Sequence, residues 1–478
     1  MAVLEHLEPH SVFSHFEQIC AIPHGSGNTK ALSDWLAAFA RERGLEHYQD
    51  QLNNIIIIKP AASGYEDAPA VILQGHMDRV CEQTADCGKD MAAEGLDLAI
   101  DGDAIYAKGT TLGGDDGIAL AMALAVLDAD DIPHPRIEAV FTVDEETGMD
   151  GAAGLDVSPL QGRRMLNIDS EDEGVFTVSC AGGNMSRSLL PVRRTAFDGT
   201  PCTITIQGLR GGHSGVEIDK GRANANLLLG RVLCALRQKM DLRLITVEGG
   251  LKDNAIPVKA SAALLAADAS AVRSVCGEMA DAFRAEYCVT DPAITVTVSE
   301  DVQGMPMDAD STDRVICLLS CTPNGIQEMS ADIPGLVQTS LNLGILTTGE
   351  DTVSATYCVR SSIASQKQMV VARLGCLSRQ LGGELETASD YPGWAYRQDS
   401  PLRDLMTQVF TEQYGYAPKV EAIHAGVECG LFSGKLPGLD CVSFGPTLTE
   451  IHTPREKMHI GSVQRTWKLL LEALRRMK

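Results

Sequence analysis

No Cys-x-x-Cys pair occurs in this chain, although its 14 cysteines are spread from Cys20 to Cys441. Cys317 and Cys321 stand one helical turn apart without a second pair, which argues against a zinc knuckle. Scattered thiols of this kind read as small, reduced core residues of a cytoplasmic protein. Basic residues are in short supply, 40 Lys and Arg against 64 Asp and Glu, for a formal net charge of −24. That balance repels phosphate backbones and anionic lipid surfaces, so nucleic acid and membrane are excluded as expected partners. Long hydrophobic runs are missing too. The longest, Ile118 to Leu127, is about half of what a membrane span needs. The first ten residues, Met1 to His10, have neither a basic start nor an apolar stretch of signal-peptide length. A Gly-x-Ser-x-Gly elbow is lacking, and Gly212-His-Ser-Gly215 does not have its spacing, which removes the usual signature of a serine hydrolase. Aromatics make up only 5%, yet with 44% hydrophobic and 22% charged residues the composition is globular. At about 150 residues per domain, 478 residues suggest three domain-sized units and exclude disorder as the main state.

What is present alternates strand with helix over the first third. Asn28 can cap a helix whose apolar positions Leu32, Trp35, Leu36 and Phe39 follow helical spacing and which Gly44 ends. Ile55 to Ile58, Val71 to Gln74, Ile137 to Val143 and Met165 to Ile168 read as buried strands, and Ile118 to Leu127 as a buried helix. The style returns with a strand at Cys441 to Phe444 and a last helix capped by Ser462. The expected fold is α/β, a mostly parallel sheet covered by helices on both faces, formed by residues 1–183 and 392–478. Residues 184–391 read instead as an inserted α+β domain, a tandem βαββαβ-like repeat with halves at about 184–300 and 301–391. The first copy runs from the strand Thr203 to Ile206 through the strand Ile294 to Val298. The second runs from the helix Thr312 to Ser320 through the strand Glu384 to Ser389, and its first strand is borrowed or missing.

Polar residues gather after the apolar strands of the first unit. His76-Met-Asp78 follows one, Asp144-Glu145-Glu146 a second, and Asn167-Ile-Asp169 ends a third. Gly113-Gly-Asp115-Asp116-Gly117 opens the buried helix, and His452-Thr-Pro-Arg-Glu456 follows the strand near the end. Singly, each motif reads as well as a turn or a solvated pair. In an open α/β sheet, however, the carboxyl ends of the strands converge on one crevice. Carboxylates clustered there repel one another unless a cation neutralises them. Two imidazoles with several carboxylates form a nitrogen/oxygen set of the kind zinc takes, with cobalt or manganese as substitutes. Five ligands exceed one tetrahedral ion and suit two metals that share a carboxylate.

The order His-x-Asp, Gly-Gly-Asp-Asp-Gly, Glu-Glu, Asp and a distant His-x-x-x-Glu resembles the dinuclear zinc exopeptidases that include carboxypeptidase G-type enzymes, aminoacylases and carnosinases. Within them it is most similar to the bacterial branch acting on aminoacyl-histidine dipeptides. Further matching stretches are Ile22-Pro-His24, Lys108-Gly-Thr-Thr-Leu-Gly113, Gly148-Met-Asp-Gly151, Cys180-Ala-Gly-Gly183, Gly211-Gly-His-Ser-Gly215, Asn254-Ala-Ile-Pro257, Tyr391-Pro-Gly-Trp394 and His424-Ala-Gly-Val-Glu-Cys-Gly430. Many relatives have arginine where this chain has Lys108, which keeps the charge but not a bidentate contact.

The resemblance implies two Zn2+ per chain bridged by Asp115, with His76 and Asp169 completing one site and Glu146 and His452 the other. It implies Glu145 as general base, and Asp78 as a carboxylate that orients the His76 imidazole by accepting its other N–H. Glu145 and Glu146 would face opposite ways on an extended strand, so a bend is required, which Thr147-Gly148 could provide. A cis peptide is implied at Asp115-Asp116, where some relatives have Asn as the second residue. His213 takes the place of the oxyanion donor on a glycine-flanked loop able to swing. Arg360 and Asn254 resemble the carboxylate-binding pair. Gly426 and Glu428, before a helix near the returning strand, read as pocket or backbone-approach residues. Residues 184–391 would be a lid, and the expected assembly is a cytoplasmic homodimer acting on small dipeptides with a C-terminal histidine. In dimers with a single lid unit the anchoring residues cross from the partner, whereas a second lid unit could supply them within one chain. An N-acyl-amino-acid amidohydrolase on the same fold is the alternative. An inactive peptide-binding relative is disfavoured, because all five ligands and the base are present.

Overall fold

The structure is a computed structural model that describes residues 3–300, 302 and 304–478. Residue 301, at the expected junction between the two lid halves, and Met1 and Ala2 of the N-terminal reading lie outside the described residues. The chain divides into two compact units. One comprises Met1–Ser179, Tyr396–Ala422 and Val427–Lys478, and the other Cys180–Ala395 with Ile423–Gly426.

The first unit is built on an eight-stranded sheet. Its order is Glu46–Gln49, Ile55–Lys59, Ile137–Thr142, Val71–His76, Arg164–Asn167, Asp440–Ser443, Val175–Cys180 and Lys419–Ile423. The four strands from Ile137–Thr142 to Asp440–Ser443 run parallel. Ile55–Lys59 and Val175–Cys180, on either side of them, run antiparallel to their neighbours, which adds antiparallel pairs to the mostly parallel sheet. The hairpin joining Glu46–Gln49 to Ile55–Lys59 dictates this at one edge, because so short a turn cannot make a parallel crossover. Ile55 to Ile58 are all buried, as a strand covered on both faces requires, and each such side chain contributes about 1.5–3 kcal/mol. The helix Gly114–Asp128 is buried along Ile118 to Leu127 because it packs on the strands Val71–His76 and Ile137–Thr142 and on the helix His10–Cys20. A separate four-stranded sheet, in the order Leu448–Thr449, Lys457–His459, Ala104–Ala107 and Leu98–Asp101, carries the C-terminal loop of the site. The last helix starts at Ile460, so Ser462 lies inside its first turn. The Ser462 hydroxyl does not cap that helix but accepts a bond from the Thr447 N–H at 2.7 Å.

In the second unit a nine-stranded sheet runs Thr295–Ser299, Thr200–Gln207, Ala260–Ala266, Leu242–Gly249, Val337–Thr348, Thr352–Ser361, Gly182–Pro191 and Glu384–Tyr391, with Gly325–Met329 paired to Val337–Thr348. Both halves have the same spatial order about the junction at Gly249 and Leu346, and Gly182–Pro191 occupies the place of the second copy's missing first strand. The helices Ala225–Lys239, Ala269–Glu286, Ala309–Cys321 and Ala364–Gln380 supply leucine, valine and Phe283 to one core with the buried alternate positions of the strands. The limits of this unit fall at 180 and 395 rather than at 184 and 391. Cys180 and Trp394 exchange backbone hydrogen bonds at 3.0 Å, and the Ala181 N–H donates to Ile423 and Ala425, which brings 423–426 along. All 14 cysteines are free, six of them buried, while Cys81, Cys288, Cys321 and Cys376 are exposed rather than in the core. Among the described residues no helix is long and apolar enough to cross a membrane.

Candidate dinuclear metal site

Three of the parallel strands deliver the site. His76 is the last residue of Val71–His76, Glu145 and Glu146 come just after Ile137–Thr142, and Asp169 lies two residues past Arg164–Asn167. The bend that the two glutamates require lies before them rather than after. Asp144 takes φ 55°, and Glu145–Gly148 form a helical turn that lets both side chains leave on neighbouring directions. Asp115 opens the buried helix with non-helical φ/ψ, and the Asp115-Asp116 peptide is cis.

At the centre, the two oxygens of Asp115 face different imidazoles. Oδ1 lies 3.0 Å from His76 Nε2, which is 3.6 Å from Asp169 Oδ1. Oδ2 lies 3.2 Å from His452 Nε2, which is 3.0 Å from Glu146 Oε1. The protonation of His76 can be read from its other nitrogen. Nδ1 is 2.9 Å from the backbone carbonyl of Asp78, an obligate acceptor, so Nδ1 carries the hydrogen and the neutral ring points an Nε2 lone pair at carboxylate oxygens. Lone pairs that converge in this way repel unless a proton or a cation lies between them. Glu146 Oε1 is buried with no hydrogen bond of its own. Without a metal the cluster draws protons. Burial opposes charge on His76, but Asp115, Asp169 and Asp78 outweigh it and hold its pKa well above the usual range. Asp115, with Glu146, raises His452 to about 10. The donors His76, Asp115, Asp169, Glu146 and His452 thus fit two borderline cations that share one carboxylate, and Asp116 also converges with His76 and Asp169.

Asp78 acts differently from the expectation. Its carboxylate stands 3.5 Å from His76 Nδ1, whose hydrogen goes instead to the Asp78 carbonyl. The carboxylate accepts the N–H of Glu145 at 3.0 Å, the N–H of Glu146 at 3.3 Å and the Ser26 hydroxyl at 2.8 Å. It therefore fixes the turn that presents both glutamates. Burial, reinforced by the Asp169, Glu428 and Glu146 charges and opposed by His76, raises Glu145 to about 9.

Glu428, expected from sequence as a pocket or backbone-approach residue, and Glu456, the last residue of His-x-x-x-Glu, are both buried. Glu428 accepts from Gln74 Nε2 at 2.5 Å and from Thr142 Oγ1 at 2.7 Å, and Gln74 Oε1 in turn accepts from Asn167 at 2.6 Å. This network ties together the three strands that carry the ligands. Glu456 accepts the N–H groups of Leu112, Gly113 and Gly114. The available signals were a lone charge before the apolar Cys429-Gly-Leu-Phe432 and the glutamate of His-x-x-x-Glu.

His213, Asn254, Arg360 and Gly426 all belong to the second unit. Its 212–214 and 254–256 loops are joined by Ser214 N–H to Asn254 carbonyl at 2.9 Å and Ile256 N–H to Gly212 carbonyl at 2.8 Å. His213 Nδ1 accepts the N–H of Gly215 and of Val216, each at 3.2 Å, so the ring hydrogen sits on Nε2. Burial, with the Arg360 charge, lowers the His213 pKa and keeps the ring neutral. Arg360 is only 7% exposed; Nη1 donates to the Tyr391 hydroxyl at 3.3 Å and Nε has no partner. Asn254 is exposed, and Gly426 lies beside Ala425, whose carbonyl takes the Ala181 N–H.

Such a donor set is that of a metal-dependent hydrolase, and known proteins narrow the class. The chain belongs to the peptidase family M20/M25/M40, whose family model matches residues 72–476 and so takes in the whole cluster. It is 38% identical to the cytosol non-specific dipeptidase of Escherichia coli (strain K12) over 487 aligned residues, 99% of each chain. Among solved structures it is similar to aminoacylhistidine dipeptidase from Vibrio alginolyticus, with a TM-score of 0.93 and 37% identity over 98% of each chain. Aminopeptidase PepT from Bacillus cereus ATCC 10987 shares the fold, with a TM-score of 0.56 and 16% identity over 98% of this chain and 99% of that one.

Proposed function

We propose that the chain hydrolyses dipeptides, with a preference for a C-terminal histidine, by means of two Zn2+ ions for which Co2+ or Mn2+ can substitute. The observation that carries this reading is Asp115, whose two oxygens each face an imidazole that a second carboxylate completes. His76, Asp169 and Asp115 would hold one ion, and Glu146, His452 and Asp115 the other. The dipeptide substrate follows the names of the two full-length relatives, the cytoplasmic location that of the Escherichia coli dipeptidase, and a homodimer the family resemblance.

When bound, the metal pair acidifies a water and polarises the scissile carbonyl. Glu145 accepts the proton of the attacking water and returns it to the leaving amine. Asp78 keeps Glu145 and Glu146 on their turn through the backbone N–H bonds. The second unit is read as the lid, with His213 Nε2–H as donor to the developing oxyanion. Arg360 receives the substrate carboxylate alongside Asn254, with Gly426 leaving space for the substrate backbone. A buried guanidinium that donates to the Tyr391 phenol and leaves Nε without a hydrogen bond favours an anion strongly.

The test compares an aminoacyl-histidine with N-acetyl-histidine, which share a leaving group and differ in the free amine. Preferred cleavage of the first, by a protein that takes up two Zn2+ per chain, is expected. Preference for the acetylated compound would make the chain an amidohydrolase instead. Because Asp115 and Glu146 raise His452 to about 10 and the neighbouring carboxylates hold His76 well above its usual range, metal uptake at pH 7.5 should release protons into weak buffer, and affinity should rise with pH. Uptake without proton release would remove the imidazoles from the ligand set.

For Arg360→Ala, KM for free dipeptides should rise about 10- to 100-fold, the value of a charged hydrogen bond, with kcat little changed. For C-terminally amidated dipeptides the change should stay within about threefold. Equal effects on both substrates would discard the carboxylate role.

A further inference from the structure

The two halves of the centre are held by different means. The His76 side chain is 1% exposed, ends a strand paired on both sides, and has its ring fixed by the Asp78 carbonyl. The His452 side chain is 45% exposed and sits in the turn between Leu448–Thr449 and Lys457–His459. Glu450 and His452 there have φ 54° and 58°, left-handed backbone that non-glycine residues hold only when neighbouring structure enforces it. Thr453 Oγ1 donates to the Glu450 carbonyl at 2.7 Å and the Glu456 N–H donates to the Thr453 carbonyl at 3.0 Å, but these bonds close the turn only on itself. Beyond it, Met458 and His459 pair with Ile105 and Ala104.

Between that pairing and His452, two side chains reach other segments: Lys457 Nζ donates to Asp101 Oδ2 at 3.0 Å on the strand Leu98–Asp101, and Glu456 bonds to the loop before Asp115. Glu456, 3% exposed, accepts the Leu112 N–H at 2.8 Å and the Gly113 N–H at 3.0 Å on Oε2, and the Gly114 N–H at 2.8 Å on Oε1. These are the three residues immediately before Asp115. The glycines make the approach possible: Gly113 has φ 71°, and a Cβ on Gly114 would press within 3.3 Å of Glu456 Oε1. The positive end of the following helix adds to the attraction for a carboxylate.

We infer that Glu456 is a positioning residue that makes the centre dinuclear, tying the turn of His452 to the loop of Asp115 so that the His452–Glu146 ion is held while the His76–Asp169 ion does not depend on it. The inference rests on the two-ion reading above. Its selectivity follows from the other anchors of the Asp115 loop. The Thr111 N–H donates to the Glu82 carbonyl at 3.0 Å, the Thr111 hydroxyl to the Val80 carbonyl at 2.7 Å, and the Gly117 N–H to the Gly113 carbonyl at 3.1 Å. The His452 turn is joined to other segments by Glu456 and, from Lys457, by the bond to Asp101.

The test is Zn2+ titration of Glu456→Gln against a chromophoric chelator, which resolves two dissociation constants. The amide keeps an acceptor oxygen but sets an NH2 group against a backbone N–H. The weaker-held constant should rise about 10- to 100-fold and the other stay within about threefold, with one Zn2+ retained per chain at low free metal. Glu456→Asp, measured in parallel, keeps the charge and shortens the reach, and should give the same selective loss in smaller degree. His452→Ala provides the signature of losing that ion alone. Thermal unfolding of each metal-free variant identifies the folded ones. In a folded variant, constants that both move equally, or that both stay put, overturn the role of Glu456. A wild-type chain that takes up one ion, or a His452→Ala chain that retains both constants, refutes the two-ion reading itself.

Discussion

Glu145→Gln should lower kcat by about 10³- to 10⁴-fold, the upper range for general acid–base catalysis, because the same carboxylate serves both proton transfers. The two-ion stoichiometry and KM should change little. Glu145 stands outside both groups of converging ligand atoms, whereas Glu146 is inside one of them. The bonds that hold its turn, from the Glu145 and Glu146 N–H groups to Asp78, are backbone bonds that the amide leaves intact. The substitution therefore removes a proton acceptor and nothing else. Its pH signature is distinct. Burial and neighbouring carboxylates raise Glu145 to about 9 in the bare cluster, and a pair of divalent ions beside it favours the ionised form and brings that value down. In the wild type kcat/KM should rise with pH as Glu145 loses its proton, and this limb should vanish in the variant. A variant that loses a metal ion would make Glu145 a ligand, and one with an unchanged rate would exclude it as the base.

The ligands were legible because their strands were. Unbroken apolar runs such as Ile55 to Ile58 and Val71 to Gln74 mark strands buried on both faces, and in a parallel sheet the polar residues after them share one edge. Periodicity shows much less about what fixes those ligands. Glu456 bonds to residues some 340 positions earlier and Glu428 to Gln74, 354 positions away, and a backbone N–H leaves no trace in sequence as to who receives it. His-x-Asp shows the same limit: the Asp78 carbonyl takes the imidazole hydrogen and its carboxylate takes two amides, a division that the letters cannot express. Gly182–Pro191 escaped as the borrowed strand because its Gly, Asn and Ser positions carry little β propensity. Its alternate residues are buried through pairing with Thr352–Ser361 and Glu384–Tyr391. Likewise the bend at Asp144 is a left-handed aspartate, and the Thr147-Gly148 pair that suggested it from sequence lies on its far side.

His213→Ala should slow turnover about 10²- to 10³-fold, as loss of one oxyanion donor does, without a change in metal content. The argument turns on which nitrogen holds the hydrogen. Two backbone N–H groups, from Gly215 and Val216, donate to Nδ1, so the neutral ring must carry its hydrogen on Nε2. Burial first, and the Arg360 charge second, lower the pKa below its ordinary 6.5, so the neutral ring is the species present above that pH. A neutral donor held in one tautomer can stabilise a developing oxyanion without drawing the substrate carboxylate away from Arg360, as an imidazolium would. Two consequences separate this role from a structural one. His213→Gln, which offers an amide N–H of similar reach, should recover part of the rate that alanine loses. In the wild type, protonation of His213 should leave no limb in the kcat profile above pH 6.5. An alanine variant with undiminished kcat would take His213 out of the reaction, and one that sheds metal would make it a ligand.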